Sequence, residues 1–452
     1  MNPARADADR VWHPFTQMSE WTEEAALVIR SGEGCRLFDD KGRAYLDGIS
    51  SLWCNVHGHR VPEIDEAIRA QLGKIAHSTL LGLANEPAAL LADELVRAAP
   101  PGLSRVFYSD SGATAVEIAL KMAFQYFHQR RANPKKTKTR FLALENAYHG
   151  DTLGAVSVGK VGLFHDIFRP LTFESFFAPS PHCYRCPMGR LRGSCAMECL
   201  GALRKILEAH RDEIAAMILE PGMQCAGGMI PIPEGYLRRL RELCTENDVL
   251  LIADEVAVGF GRTGAMFACG KEGVTPDLLA CAKGITGGYL PLAATLATEE
   301  VFSAFLGRFE EFRTFTHGHT YSGNALACAA ARASLRLFEE GRVLERLQPK
   351  IALLSRLLER FRDHPNVGDI RRNGFIAGIE LVADRATKAP FPAAARIGHK
   401  VCMAARPRGA ILRPLGGVLV LFPALSMSEA DLERLVSILY DSLCEVLPPG
   451  RP

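Results

Sequence analysis

Val249-Leu-Leu-Ile-Ala-Asp254-Glu255-Val-Ala-Val-Gly-Phe-Gly261-Arg262-Thr263-Gly264 is an apolar run that ends in a carboxylate and passes into a glycine-rich loop. A short run of this kind predicts a strand covered on both faces, as in a parallel sheet. Ligands of open α/β sheets bind at the carboxyl ends of such strands, where Asp254 stands. The glycines leave the following backbone free to turn tightly. A second run, Leu278-Leu-Ala-Cys-Ala-Lys283-Gly284-Ile-Thr-Gly-Gly-Tyr289, ends in a lysine and another glycine-rich turn. Either residue alone has an ordinary reading, Asp254 as a structural strand end and Lys283 as a surface charge. Together they point to chemistry. A lysine at the edge of an apolar pocket can be held partly neutral, and a neutral amine can form a Schiff base. An aspartate beside it could hold a proton on a pyridine nitrogen, as pyridoxal 5'-phosphate requires.

Outward from these runs the chain alternates short apolar stretches with helical patterns, which predicts an α/β fold. Strands are expected at Arg105–Ser109, Phe141–Glu145, Ala215–Glu220, Val249–Asp254 and Leu278–Ala282, with helices at Thr114–Gln129 and Pro233–Asn247. Two short strand-like runs, Leu27–Ile29 and Cys35–Asp39, are too few for a domain. They are expected to pack with the C-terminal part, where Ile370–Leu381 and Ala410–Phe422 suggest a smaller sheet. Glu429–Val446 reads as an amphipathic helix opened by Ser428. The plan is therefore a large domain with a mostly parallel sheet over residues 61–335. A smaller α+β domain would be built from both ends, 1–60 and 336–452.

The chain has 452 residues, 53 Lys plus Arg against 51 Asp plus Glu, 48% hydrophobic and 23% charged residues, which excludes a disordered protein. A formal charge of +2 leaves no electrostatic footprint for nucleic acid or an anionic membrane. From the polar start no signal peptide is expected, and no apolar run reaches the ~18–20 residues of a membrane span. A cytoplasmic protein is expected. Nine of the 13 cysteines sit singly, as small hydrophobes. The other four, Cys183, Cys186, Cys195 and Cys199, have spacing that suits either a structural zinc knot or a loop of free thiols. The catalysis expected here needs no metal.

A phosphate could lie on Ser111-Gly112-Ala113-Thr114, which follows a strand and opens a helix, although an ordinary N-cap would look the same. Tyr148, just past another strand, could stack on a cofactor ring or be a plain loop residue. His317-Gly318-His319-Thr320 crowds imidazoles and hydroxyls at a helix start, as a second phosphate contact or a capped turn.

These residues together resemble the class III aminotransferases of pyridoxal-phosphate fold type I, over nearly the whole length. The motifs are Asp254 with Gly-Phe-Gly-Arg-Thr-Gly, and Lys283 in Ala-Lys-Gly-Ile-Thr-Gly-Gly. Trp12-His-Pro-Phe-Thr-Gln17, Asp47-Gly-Ile-Ser-Ser-Leu-Trp53, Asn55-Val-His-Gly-His59, Tyr108-Ser-Asp-Ser-Gly112, Tyr148-His-Gly-Asp151 and His317-Gly-His-Thr320 narrow it. They resemble the branch that converts 8-amino-7-oxononanoate to 7,8-diaminononanoate in biotin biosynthesis. The resemblance implies that Lys283 carries the cofactor and moves the proton, that Asp254 pairs with its pyridinium nitrogen, and that Tyr148 stacks on the ring and lines the substrate site. It implies further that Ser111, Gly112 and Ala113 hold the phosphate. His319 and Thr320 would reach the cofactor of a second subunit, so a homodimer is expected. Gly318 would line the substrate channel, and Arg413 would pair with the far carboxylate of the oxononanoate. Phe15 stands where many members have Tyr, and Leu52-Trp53 where many have a Trp pair. Both positions bear on substrate recognition. The expected donor is S-adenosylmethionine in a ping-pong reaction, with lysine as the alternative donor. The rival readings are an ω-aminotransferase acting on 4-aminobutyrate, ornithine or a diamine, and a scaffold that has lost catalysis.

Overall fold

Three short strands near the N-terminus, β1 (Ile29–Glu33), β2 (Arg36–Asp39) and β3 (Ala44–Asp47), form an antiparallel meander. Its open edge is taken by Ala410–Ile411, which pairs parallel to β3, so the two ends of the chain share one sheet. The computed structural model describes residues 2–24 and 26–449. Met1, Ala25 and residues 450–452, which fall in the expected domain spans, lie outside the described residues.

The middle of the chain forms a seven-stranded sheet. Its members are β4 (Leu103–Ser109), β5 (Arg140–Leu144), β6 (Phe176–Ala178), β7 (Ile214–Leu219), β8 (Leu250–Asp254), β9 (Leu278–Cys281) and β10 (Ala293–Thr298). The order is β4-β10-β9-β8-β7-β5-β6, with parallel pairing from β9 through β6. β10 runs antiparallel to both neighbours, a strand the apolar-run reading did not find. Alternation along a strand sends side chains to opposite faces. Leu250 and Ile252 pack under the Gly112–Gln129 helix with Ala119, Ala123 and Phe127. Leu251 and Ala253 face the other core, with Leu203 and Leu240 from the helices Glu198–Ala209 and Tyr236–Glu246. Both faces are covered, which is why these strands read as continuous apolar runs.

The C-terminal part adds β11 (Val367–Asn373), β12 (Ile376–Leu381) and β13 (Val418–Leu421) in an antiparallel sheet completed by Pro414–Leu415. The expected single run Ile370–Leu381 is in fact a hairpin. Gly374 turns it at φ +59°, and a Cβ there would sit 2.3 Å from the Thr263 carbonyl carbon, so only glycine fits. Ala410–Phe422 is likewise three short strands, and the N-terminal run begins at Ile29 rather than Leu27. Arg262, from the glycine-rich loop, is fully buried between these parts. It donates to the carbonyls of Pro423 (2.6 Å) and Asn55 (3.0 Å) and lies over the Phe422 ring. Among the described residues no helix is long and apolar enough to cross a membrane.

The helix Glu429–Val446 starts where expected: Asp431 N donates to the Ser428 hydroxyl at 3.1 Å. Ser428→Ala is expected to lower stability by about 1 kcal/mol, the usual worth of an N-cap. A denaturant midpoint measured with an unchanged m-value checks it.

Candidate active site

The site is built where parallel strands end side by side. The register pairs Ala253 of β8 with Leu219 of β7, so the next residues, Asp254 and Glu220, emerge as neighbours at the carboxyl edge. Both line one cavity of about 680 Å³. Lys283 follows β9 into the same cavity at φ +49°, and Gly112 and Ala113 bring in the first turn of the helix after β4. Ser111, Tyr148 and Trp53 complete it, so seven of the residues singled out in the sequence face one space.

Asp254 is 4% exposed and both its oxygens are engaged. The His149 Nδ1–H donates to Oδ2 at 2.6 Å, and Val256 N donates to Oδ1 at 3.0 Å. His149 Nε2 is buried without a partner. Burial pulls the Lys283 ammonium below the ordinary lysine value, although Asp254 works in the opposite direction. Its Nζ lies 5.1 Å from the centre of the Trp53 ring, which stacks on Phe422 at 5.1 Å. The Tyr148 hydroxyl donates to Asp151 at 2.7 Å.

Glu220 was missed in the sequence, although it carries the same signal as Asp254: an apolar strand that ends in a carboxylate. It accepts N–H groups from Cys225 (2.8 Å) and Tyr148 (3.3 Å). Burial raises its carboxyl to about 7, with the nearby Asp254 adding to the rise. Gly112 is required by packing, since a Cβ would stand 2.5 Å from Val256 Cγ1. The Ser111 hydroxyl caps its own helix, reciprocally with Thr114.

Other expected site residues lie outside the set that lines this cavity. Leu52 is 45% exposed and outside the residues lining the Lys283 cavity. Phe15 is exposed and meets Phe164 edge to face, while Phe164 in turn meets Tyr148. Arg413 lies over the Phe15 ring at 5.5 Å. Gly318, His319 and Thr320 line a second cavity of about 1290 Å³, with Leu81, Tyr108 and Phe315. The link between the two is His319 Nδ1–H, which donates at 2.7 Å to Asp110, a residue of the first cavity. The thiols of Cys183, Cys186, Cys195 and Cys199 are free and line a small cavity of about 210 Å³. Among the described residues no group of three or more His, Cys, Asp or Glu is gathered as a metal ion requires.

A large sheet with an aspartate and a lysine at adjacent strand ends, and a smaller part made from both chain ends, is pyridoxal-phosphate fold type I. The family pattern described as "Aminotransferase class-III" matches residues 17–443, and the chain belongs to that family. The particular likeness is to enzymes named adenosylmethionine-8-amino-7-oxononanoate aminotransferase. The one from Geobacter sulfurreducens is 55% identical over 97% of this chain and 96% of its own length. The crystal structure of the enzyme of that name from Methanocaldococcus jannaschii superposes with a TM-score of 0.93, at 46% identity and 98% coverage of both chains. An omega transaminase from Pseudomonas jessenii, solved in complex with PMP, gives a TM-score of 0.93 at 31% identity, covering 99% of this chain and 100% of its own.

Glu220 gives a pH-dependent prediction. Its folded-state value is raised, so the stability it allows is complete below the ordinary carboxyl range. That stability is lost as pH rises through about 7. Glu220→Gln removes the loss. Between pH 5 and pH 8 the urea stability of the variant should rise relative to the parent by on the order of 2–3 kcal/mol. A difference independent of pH would contradict this.

Proposed function

We propose that this chain transfers an amino group from S-adenosylmethionine to 8-amino-7-oxononanoate, giving 7,8-diaminononanoate for biotin biosynthesis. The observation that carries the reading is a lysine whose charge is disfavoured by burial, facing Asp254 in one cavity. The relatives' names supply the donor and acceptor.

The residues present fit pyridoxal 5'-phosphate. Gly112 and Ala113 open a helix of 18 residues into the cavity, and no side chain could be placed on Gly112 without displacing Val256. Free N–H groups and the helix dipole there suit a phosphate. Asp254, fixed by His149 and Val256 N, presents a carboxylate to a pyridinium N–H. Tyr148 would cover the ring. Bound there, the cofactor would supply an electron sink for the charge left on the substrate carbon. Lys283 would attach it and, when displaced, move a proton: its Nζ takes the proton from the carbon that bears the amino group and later returns one. An amine with a lowered proton affinity is suited to both steps. Trp53 and Tyr148 keep the reacting space dry and narrow. Arg413, beyond Phe15, would hold the far carboxylate of the oxononanoate, with Gly318 lining the approach. The donor leaves as its keto acid before the acceptor enters, in a ping-pong order.

We assign His319 and Thr320 to the phosphate of a second subunit's cofactor, in a homodimer. The wide second cavity that holds them, with Leu81 exposed beside it, supports this assignment. A cytoplasmic location fits the composition. The large domain is assigned to 61–335 and the small one to 1–60 with 336–452.

A donor panel tests the reaction. S-adenosylmethionine with the oxononanoate should give the diamine, whereas activity confined to lysine or to 4-aminobutyrate would overturn the donor or the whole reading. Lys283→Ala should retain cofactor without covalent attachment and lose at least about 10²–10⁴-fold in kcat, the usual worth of positioned proton transfer. Arg413→Ala should raise KM for the oxononanoate by roughly 10–100-fold, the loss of one charge-assisted pair, and leave the donor half-reaction close to normal.

A further inference from the structure

Ser50, Ser51, Leu52 and Trp53 are consecutive and none is glycine, yet their φ angles are +48°, +48°, +73° and +71°. At Ser51 and Leu52 the ψ angles of 45° and 55° place both in the left-handed helical region. L-residues avoid this region because Cβ crowds the following carbonyl. Four in succession form a left-handed turn that persists only if its surroundings hold it. Its own backbone bonds run from Trp53 N to Ile49 O at 2.7 Å and from Cys54 N and Asn55 N to Ser50 O, both at 3.1 Å.

The Ser50 hydroxyl donates to Phe422 O and Arg262 to Trp53 O, and further support comes from one buried carboxylate. Asp47, 3% exposed at the end of β3, accepts Ser51 N at 3.0 Å and the Ser51 hydroxyl at 2.9 Å. Its Oδ2 also accepts from His59 Nε2 at 3.0 Å. The other ring nitrogen of His59 meets the Asn55 amide at 3.0 Å, and Asn55 Oδ1 accepts Gly58 N at 2.7 Å. The Asp47–His59 pair therefore grips the turn on one side and the chain leaving it on the other. What the turn presents is Trp53, stacked on Phe422 with Lys283 Nζ 5.1 Å from its ring. Beyond Lys283, the chain presses on the same segment. A Cβ on Gly288 would lie 3.1 Å from Asn55 N, and one on Gly284 would lie 3.2 Å from Val56 Cγ1.

We infer that Asp47 and His59 are positioning residues, which hold the left-handed Ser50–Trp53 turn so that the Trp53 ring stays against Lys283. A right-handed or extended path through these residues would swing the indole out of the Lys283 cavity. The inference rests on the proposed aminotransfer only for its effect on rate.

The test uses the full-length chain as purified, with Trp12→Phe and Trp21→Phe leaving Trp53 the sole indole. Asp47→Asn and His59→Gln should each shift its emission to longer wavelength as the ring leaves its stack. In the otherwise unchanged holoenzyme each should lower kcat/KM by about tenfold or more. Ser51→Gly makes the left-handed conformation inexpensive while keeping the backbone N–H. Added to either variant, it should reverse most of the emission shift and recover rate. Should Asp47→Asn not fold, His59→Gln with and without Ser51→Gly carries the same comparison. Unchanged emission in the variants overturns the inference, and so does a shift that Ser51→Gly fails to reverse. Emission that responds as described in a chain without aminotransferase activity sustains the positioning role and refutes the proposed reaction instead.

Discussion

The hydrogen bond from His149 to Asp254, 2.6 Å long and sealed from water, is the constraint on which the site depends. Asp254 comes from a central strand and His149 from the loop after β5, two strands away in the sheet. The bond can form only if β5, β7 and β8 lie parallel and in register, so that their carboxyl ends reach one level. Once it forms, the carboxylate is fixed in direction, with one oxygen on the imidazole and the other on Val256 N. A fixed charge of this kind stabilises an opposite charge without reorganising at the moment of reaction.

The rest of the site is arranged around that fixed charge. Burial disfavours the ammonium of Lys283 while Asp254 favours it. Glu220, a second carboxylate at the same edge, is pushed the other way by the same burial. Asp254 accepts from an imidazole and one backbone N–H, whereas Glu220 is held by backbone N–H groups alone. Neighbouring groups with opposite tendencies are characteristic of catalytic centres. Arg262, from the glycine-rich loop, reaches the carbonyls of Trp53, Asn55 and Pro423 and so fixes the wall that carries Trp53.

Much of this was legible in the sequence because it is local. Asp254 and Lys283 stand at the ends of strands buried on both faces, and such strands announce themselves as unbroken apolar runs. The cap at Ser428 and the helix behind it follow from side-chain chemistry within a few residues. Helix-opening glycine at 112 is local in the same way. The left-handed turn at Ser50–Trp53 is not, because Ser-Ser-Leu-Trp carries no glycine or asparagine to signal positive φ. It exists through contacts that no local signal announces: Asp47 and His59, which flank it, pair across it, and Phe422 reaches it from the far end of the chain. β10 escaped notice for a similar reason: Ala-Ala-Thr-Leu-Ala-Thr is only weakly apolar, and pairing on both sides makes it a strand. The hairpin at Gly374 reads as one run in the sequence because its turn, Gly374-Phe375, is only two residues long, with the glycine fitted against Thr263. Leu52, expected to bear on substrate recognition, is half-exposed on that turn.

We propose Lys283 as the one lysine that holds pyridoxal 5'-phosphate. The most direct measurement is peptide mass analysis after the full-length protein is incubated with the cofactor and reduced with borohydride. A single stoichiometric cofactor label on the peptide that carries Lys283 is expected. A label spread over surface lysines, or none at Lys283, would contradict that assignment.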